Sequence, residues 1–158
     1  MEELIYSDKT LEIDVHKLIE GNLWLVREGL ELWSSDKPLK DVLERHYDKL
    51  YAGNEDERPD LVCRSRDDGN QAVIMEFKRP KVKIKMEHVT QALSYEGVIK
   101  ANRPNINFET FIMGREYTPD VMASKLKLEK GGLYLWSFGE LLQKTRSRFE
   151  QILEILNK

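Results

Sequence analysis

Two strand-like runs, residues 59–66 and 71–78, flank Asp67-Asp68-Gly69-Asn70, a cluster of turn formers. A hairpin closed there constrains the chain more than any other feature, because the start of one strand must lie beside the end of the next. In Ala72-Val-Ile-Met-Glu-Phe-Lys78, alternate side chains share a face. Val73, Met75 and Phe77 point one way, into a core. Glu76 and Lys78 point the other way, where buried strand gives out onto a cleft. Asp60 follows Pro59 at the start of the partner strand and is expected next to Glu76. Two carboxylates on adjacent strand ends make a hard-oxygen site. Mg²⁺, or Mn²⁺ in its place, suits such ligands, keeping several waters and completing its shell with a substrate phosphate. Lys78 would then orient the attacking water or help deprotonate it.

The rest of the chain reads mainly as helices and two more strands. Leu11, Val15, Leu18, Ile19 and Leu25 give a helical stripe over residues 11–26, with Gly21-Asn22 as a candidate interruption. Leu39, Val42, Leu43, His46, Tyr47 and Leu50 do the same over 38–52, with Asp36 as a candidate cap and Pro38 in the first turn. Residues 53–58 form a polar, acidic loop. A helix is expected over 87–101, a strand over 107–114, a short helix opened by Thr118-Pro119, and a strand over 133–138 after Gly131-Gly132. The last twenty residues form an amphipathic helix with Leu142, Phe149 and Leu156 seven apart; that stripe suits packing on a sheet or pairing with a second copy. The order α, α, β, β, α, β, α, β, α predicts an α/β fold: a mixed central sheet of about four strands flanked by helices. The 158 residues are expected to form one domain, 1–158, which could equally be a piece of a larger protein.

Several function classes are set aside by composition. No apolar run reaches the roughly 20 residues of a membrane span. The acidic start, MEELIYSDKTLEID, has no secretory pattern, so a reducing cytoplasm is the expected setting. The single cysteine, Cys63, has no partner for an internal disulfide and no charged neighbour to activate it. His16, His46 and His88 lack zinc-ligand spacing, and surface or core roles are expected of them. Trp24, Trp33 and Trp136 are expected to anchor core or helices. The formal net charge is −3, so contact with a polyanion needs a local patch or a bridging cation. One such patch is Lys78, Arg79, Lys81, Lys83 and Lys85, with no acid between 78 and 85. It suits a phosphate track and, equally, a solvated edge that discourages aggregation. The acids at 55–57 would oppose a polyanion close by.

Pro59-Asp60 followed by Glu76-Phe77-Lys78, sixteen residues from acid to acid, resembles the PD-(D/E)xK, or restriction-endonuclease-like, nuclease superfamily. The resemblance spans roughly residues 12–137. Gln91-Ala-Leu-Ser-Tyr95 is similar to the Gln-xxx-Tyr pair of its RecB-like branch; at i and i+4 the two share a helix face, although Tyr95 is also suited to plain packing. Glu20 sits on the first helix, where many members carry a further acid. Glu-Phe-Lys-Arg-Pro also looks like the nuclease domains of Shedu-type antiviral defence proteins and of those attached to GHKL-type ATPases. The resemblance implies metal-dependent hydrolysis of nucleic-acid phosphodiesters, with DNA the expected substrate. Asp60, Glu76 and the backbone carbonyl of Phe77 would hold the metal. Lys78, Gln91, Glu20 and Tyr95 would complete the catalytic site, and Arg79, Lys81, Lys83 and Lys85 would bind substrate. The alternative is a non-catalytic module of the same fold, binding nucleic acid or serving assembly within a larger defence or ATPase protein. A homo-oligomer or an attached ATPase or regulatory domain fits either reading.

Overall fold

A computed structural model describes residues 12–47, 57–79 and 81–156. Helix α1 (Glu12–Glu20) is followed by a single 3₁₀ turn (Leu23–Leu25), strand β1 (Leu30–Ser35) and helix α2 (Leu39–Tyr47). The hairpin β2 (Leu61–Ser65) and β3 (Gln71–Phe77) comes next, then α3 (Met86–Asn102), β4 (Asn107–Gly114), α4 (Pro119–Lys130), β5 (Leu133–Ser137) and α5 (Phe138–Leu156). Among the described residues the sheet has five strands, in sequence order. β1–β2 and β2–β3 are antiparallel, while β3–β4 and β4–β5 are parallel. β3 is thus the central strand, and the direction of pairing changes there.

Strands β2 to β5 alternate between two apolar layers. On one face, Cys63, Val73, Met75, Phe77, Phe111 and Met113 pack under α1 and α5. On the other, Val62, Ala72 and Ile74 meet α2 and α3, while Ile112, Leu133 and Leu135 meet α3 and α4. Helices therefore cover both faces, which explains why β3 is apolar at nearly every position. Glu76 lies on the α3 side, where the apolar run ends.

Three expectations change. The sheet has five strands where about four were expected, because Leu30–Ser35 is an edge strand paired only with β2. The first helix stops at Glu20 and does not run through to residue 26. Gly21-Asn22 breaks it, and the Asn22 side chain donates to the Leu18 carbonyl. Asp36 does not cap α2. Its backbone takes a left-handed conformation (φ 47°) and its amide donates to the Asp60 carbonyl at 2.8 Å; the first amide of α2, at Leu39, donates to the Glu57 carbonyl at 2.9 Å. Residues 48–52 of the expected second helix, with Leu50, and residues 53–56 of the acidic loop lie outside the described residues.

Trp33 and Trp136 are half-buried, while Trp24 is exposed rather than a core anchor. α5 packs through Leu141, Leu142 and Thr145 and leaves Phe149, Leu153 and Leu156 exposed, so only its first half lies on the sheet. Among the described residues no helix is long and apolar enough to cross a membrane.

Two glycines are set by close approach. A Cβ at Gly132 (φ 88°) would lie 2.9 Å from the Phe108 carbonyl, and one at Gly114 would lie 3.0 Å from Ile84. The second contact matters for the site. Ile84 is fully buried and bridges to Tyr117, pinning the 81–85 segment across the end of β4.

Candidate active site

The hairpin register pairs Leu61 with Met75, which places Asp60 and Glu76 opposite each other one step further on. The two are bound reciprocally. The Asp60 amide donates to Glu76 Oε1 at 3.1 Å, and the Phe77 amide donates to Asp60 Oδ2 at 2.7 Å. Each carboxylate is therefore fixed by the other strand's backbone, and the pair depends on that register. A slip of one residue would send Glu76 to the opposite face. Asp36 secures the same corner through the Asp60 carbonyl.

Lys78 Nζ lies 3.3 Å from Glu76 Oε2. The Glu76 side chain is only 4% exposed and that of Lys78 14%. Burial, then the neighbouring Asp60 charge, pushes the Glu76 carboxyl up to about 8, against the opposing pull of Lys78 and of the Asp60 amide. Burial and the Asp60 charge therefore favour the protonated form of Glu76. A second positive charge beside it would reverse that preference.

The donor set fits a hard divalent cation. Among the described residues, no three histidines, cysteines or acids converge on one point. A cation here would be held by Asp60, Glu76 and the Phe77 carbonyl, with water and phosphate oxygens filling the shell. Mg²⁺ tolerates that incomplete protein ligation well.

The remaining expected residues group around this corner unequally. Tyr95 is buried in the α2–α3 layer, so it does pack. Its hydroxyl also accepts from Gln91 Nε2 at 2.7 Å and donates to the Arg58 carbonyl at 3.3 Å, two residues before Asp60. Gln91 is exposed. Glu20 stands apart from the carboxylate pair. It lies 3.8 Å from His16, whose ring packs on that of Phe77 at 5.6 Å.

The basic run is a strap rather than a strand. Lys81, Lys83 and Lys85 are exposed on either side of the buried Ile84, while Lys83 pairs with Glu116 at 3.0 Å and Lys85 lies 3.9 Å from Glu87. Cys63 is buried in β2, and burial pushes its thiol up to about 12, which suits its expected packing role.

Two further residues, Asp36 and His88, carry little signal of a site role in the sequence. Asp36 carries no side-chain signal, since its contribution is backbone. His88 begins the α3 face that continues through Gln91 and Tyr95 at i, i+3 and i+7. That spacing is its signal, and it is weaker than a zinc-ligand pattern.

No family profile matches the sequence, and comparison with curated proteins gives no match. Solved structures with a similar fold include a repair endonuclease from Pyrococcus abyssi (TM-score 0.57, 24% identity) and EndoMS in its apo form (TM-score 0.55, 17% identity). In both comparisons 84% of this chain is covered, and 48% of the other. The chain thus has the fold seen in these endonuclease structures and spans about half their length.

Proposed function

We propose that this chain is a divalent-metal-dependent nuclease that hydrolyses phosphodiester bonds, with DNA as substrate. The observation that carries the reading is the reciprocal Asp60–Glu76 pair with Lys78 beside it, set at the end of the central strand. The fold shared with the two endonuclease structures supports it. A cation bound there would offset the charge of the scissile phosphate and lower the pKa of an attacking water. The chain's own residues supply position. Asp60 and Glu76, locked by backbone donors, present their oxygens with little side-chain freedom to lose. Lys78 carries three donors and no lone pair while protonated, so its place is beside the water or the phosphate. Tyr95 and Gln91 hold the Arg58–Asp60 turn, whereas Glu20, beside His16 on the Phe77 face of the sheet, has no direct part in this arrangement. Arg79, Lys81, Lys83 and Lys85 lie along the strap leading away from the site, where they would meet the phosphates of a bound strand.

The test is cleavage of single-stranded, duplex and branched DNA and RNA with Mg²⁺, Mn²⁺ or EDTA, beside Asp60→Asn and Glu76→Gln. We expect metal-dependent cleavage of DNA by the wild type alone. Cleavage that persists in both variants, or in EDTA, would refute the proposed site.

A further inference from the structure

His88 was expected to be an ordinary surface or core histidine, and its surroundings are more specific than that. It lies in the first turn of α3, and its Nδ1 accepts the backbone amide of Lys85 at 3.0 Å. A glutamate or glutamine commonly fills this capping position. With Nδ1 an acceptor, the neutral ring carries its proton on Nε2. The side chain is 14% exposed, and its Nε2 edge faces the largely exposed Glu87 carboxylate at 3.6 Å, which an incoming phosphate would displace. Gln91 and Tyr95 continue the same face of the helix, and Tyr95 reaches the turn that carries Asp60. Burial, then the Lys78 ammonium, holds the imidazole below its ordinary value, with Glu87 opposing and Lys85 adding to the effect, which favours the neutral ring. Through Gln91 and Tyr95 this helix face adjoins the turn that carries Asp60.

We propose that His88 is a substrate-binding residue: its Nε2–H donates to a non-bridging oxygen of the phosphate next to the one being cut, in a row with Lys78 and Gln91. The Lys85 amide selects the tautomer that makes this donor available, so the cap is also the positioning device. Lys78 occupies the scissile position, and a neutral donor beside it adds a directional contact without a second cation to repel the first. The inference rests on the nuclease reading of the Asp60–Glu76 site.

Three substitutions separate donor from cap. His88→Glu keeps an acceptor for the Lys85 amide and loses the donor. His88→Gln keeps both. His88→Ala loses both. We expect melting temperature to fall only for His88→Ala. We expect kcat/KM on duplex DNA to fall about tenfold or more for both His88→Ala and His88→Glu, the size of one hydrogen bond to a charged oxygen, and His88→Gln to recover most of that loss. A methylphosphonate at the adjacent phosphate locates the contact: it should weaken wild-type binding clearly more than binding by His88→Ala. If His88→Glu and His88→Ala cleave as the wild type does, or the methylphosphonate penalty is equal in wild type and His88→Ala, the inference is wrong while the nuclease reading stands. If the wild type itself does not cleave, both fall.

Discussion

Glu76 gives the most demanding test of the site, because its burial ties chain stability to pH. Its carboxyl is pushed from an ordinary 4.5 to about 8 by burial and by Asp60, with Lys78 offsetting part of the effect. Between those values the native state holds a proton that the unfolded chain has released. Stability is therefore complete below about pH 4.5, falls as pH rises, and carries the whole penalty above about pH 8. A gap of 3.5 at about 1.4 kcal/mol per pH step gives at most about 5 kcal/mol. Single domains have about 5–15 kcal/mol in total, so even a third of this is measurable. The assay is urea unfolding in EDTA at intervals from pH 5 to 9, followed by tryptophan fluorescence, for wild type and Glu76→Gln. The glutamine keeps an oxygen for the Asp60 amide and does not titrate. We expect the wild type to lose stability relative to Glu76→Gln across this range, and added Mg²⁺ to return it by binding only the native, ionised site. Parallel curves for the two proteins would show that Glu76 is already ionised in the native state, and the electrostatic account of the site would be wrong.

Three other outcomes follow from the same geometry. Lys78→Ala should abolish cleavage while leaving Mn²⁺ affinity, read by calorimetry, nearly unchanged; wild-type turnover in that variant would remove Lys78 from the mechanism. Asp60→Asn should abolish cleavage yet match or exceed the wild-type melting temperature in EDTA, because the carboxamide oxygen still accepts the Phe77 amide while the charge that makes Glu76 costly to ionise is gone. An earlier melt together with an unchanged response to Mg²⁺ would make Asp60 merely structural. Replacing Lys81, Lys83 and Lys85 together should flatten the salt dependence of DNA binding by about 0.7–0.9 per lost phosphate contact. Lys83 already pairs with Glu116 and Lys85 lies 3.9 Å from Glu87, so the drop should fall short of three contacts, and an unchanged slope would leave the strap a solvated edge.

The parts of the fold that were legible in the sequence are those governed by local chemistry. Four turn formers closed the hairpin, strand alternation separated Met75 and Phe77 from Glu76, and register then followed, so the Asp60–Glu76 pair was readable before any coordinates. β4 and the start of α4 were equally local. β1 was not, because an edge strand pairs on one side only. In Leu30–Ser35 only Leu30 and Ser34 are buried and Leu32 is exposed, so little apolar alternation survives. Long-range contacts account for the rest. The Lys83–Glu116 pair, the Tyr95–Arg58 hydrogen bond and the Asp36–Asp60 contact join residues 33, 37 and 24 positions apart. No window of sequence contains them. The basic run looked uniform in the sequence, and folding gave its lysines different partners.

The buried thiol of Cys63 has a practical consequence for following this protein at work. The chain's single cysteine lies inside β2 with its thiol pushed up to about 12, so at neutral pH it offers almost no thiolate to an alkylating dye. The wild-type chain is in effect a cysteine-free background. Gly69 lies at the exposed tip of the β2–β3 turn, and a Cβ there would have nothing within 4 Å. A fluorophore on a cysteine introduced at that position would be rigidly coupled to β3 at roughly 20 Å from Glu76. At that distance it would signal the arrival of a labelled strand by energy transfer without touching the residues that receive it.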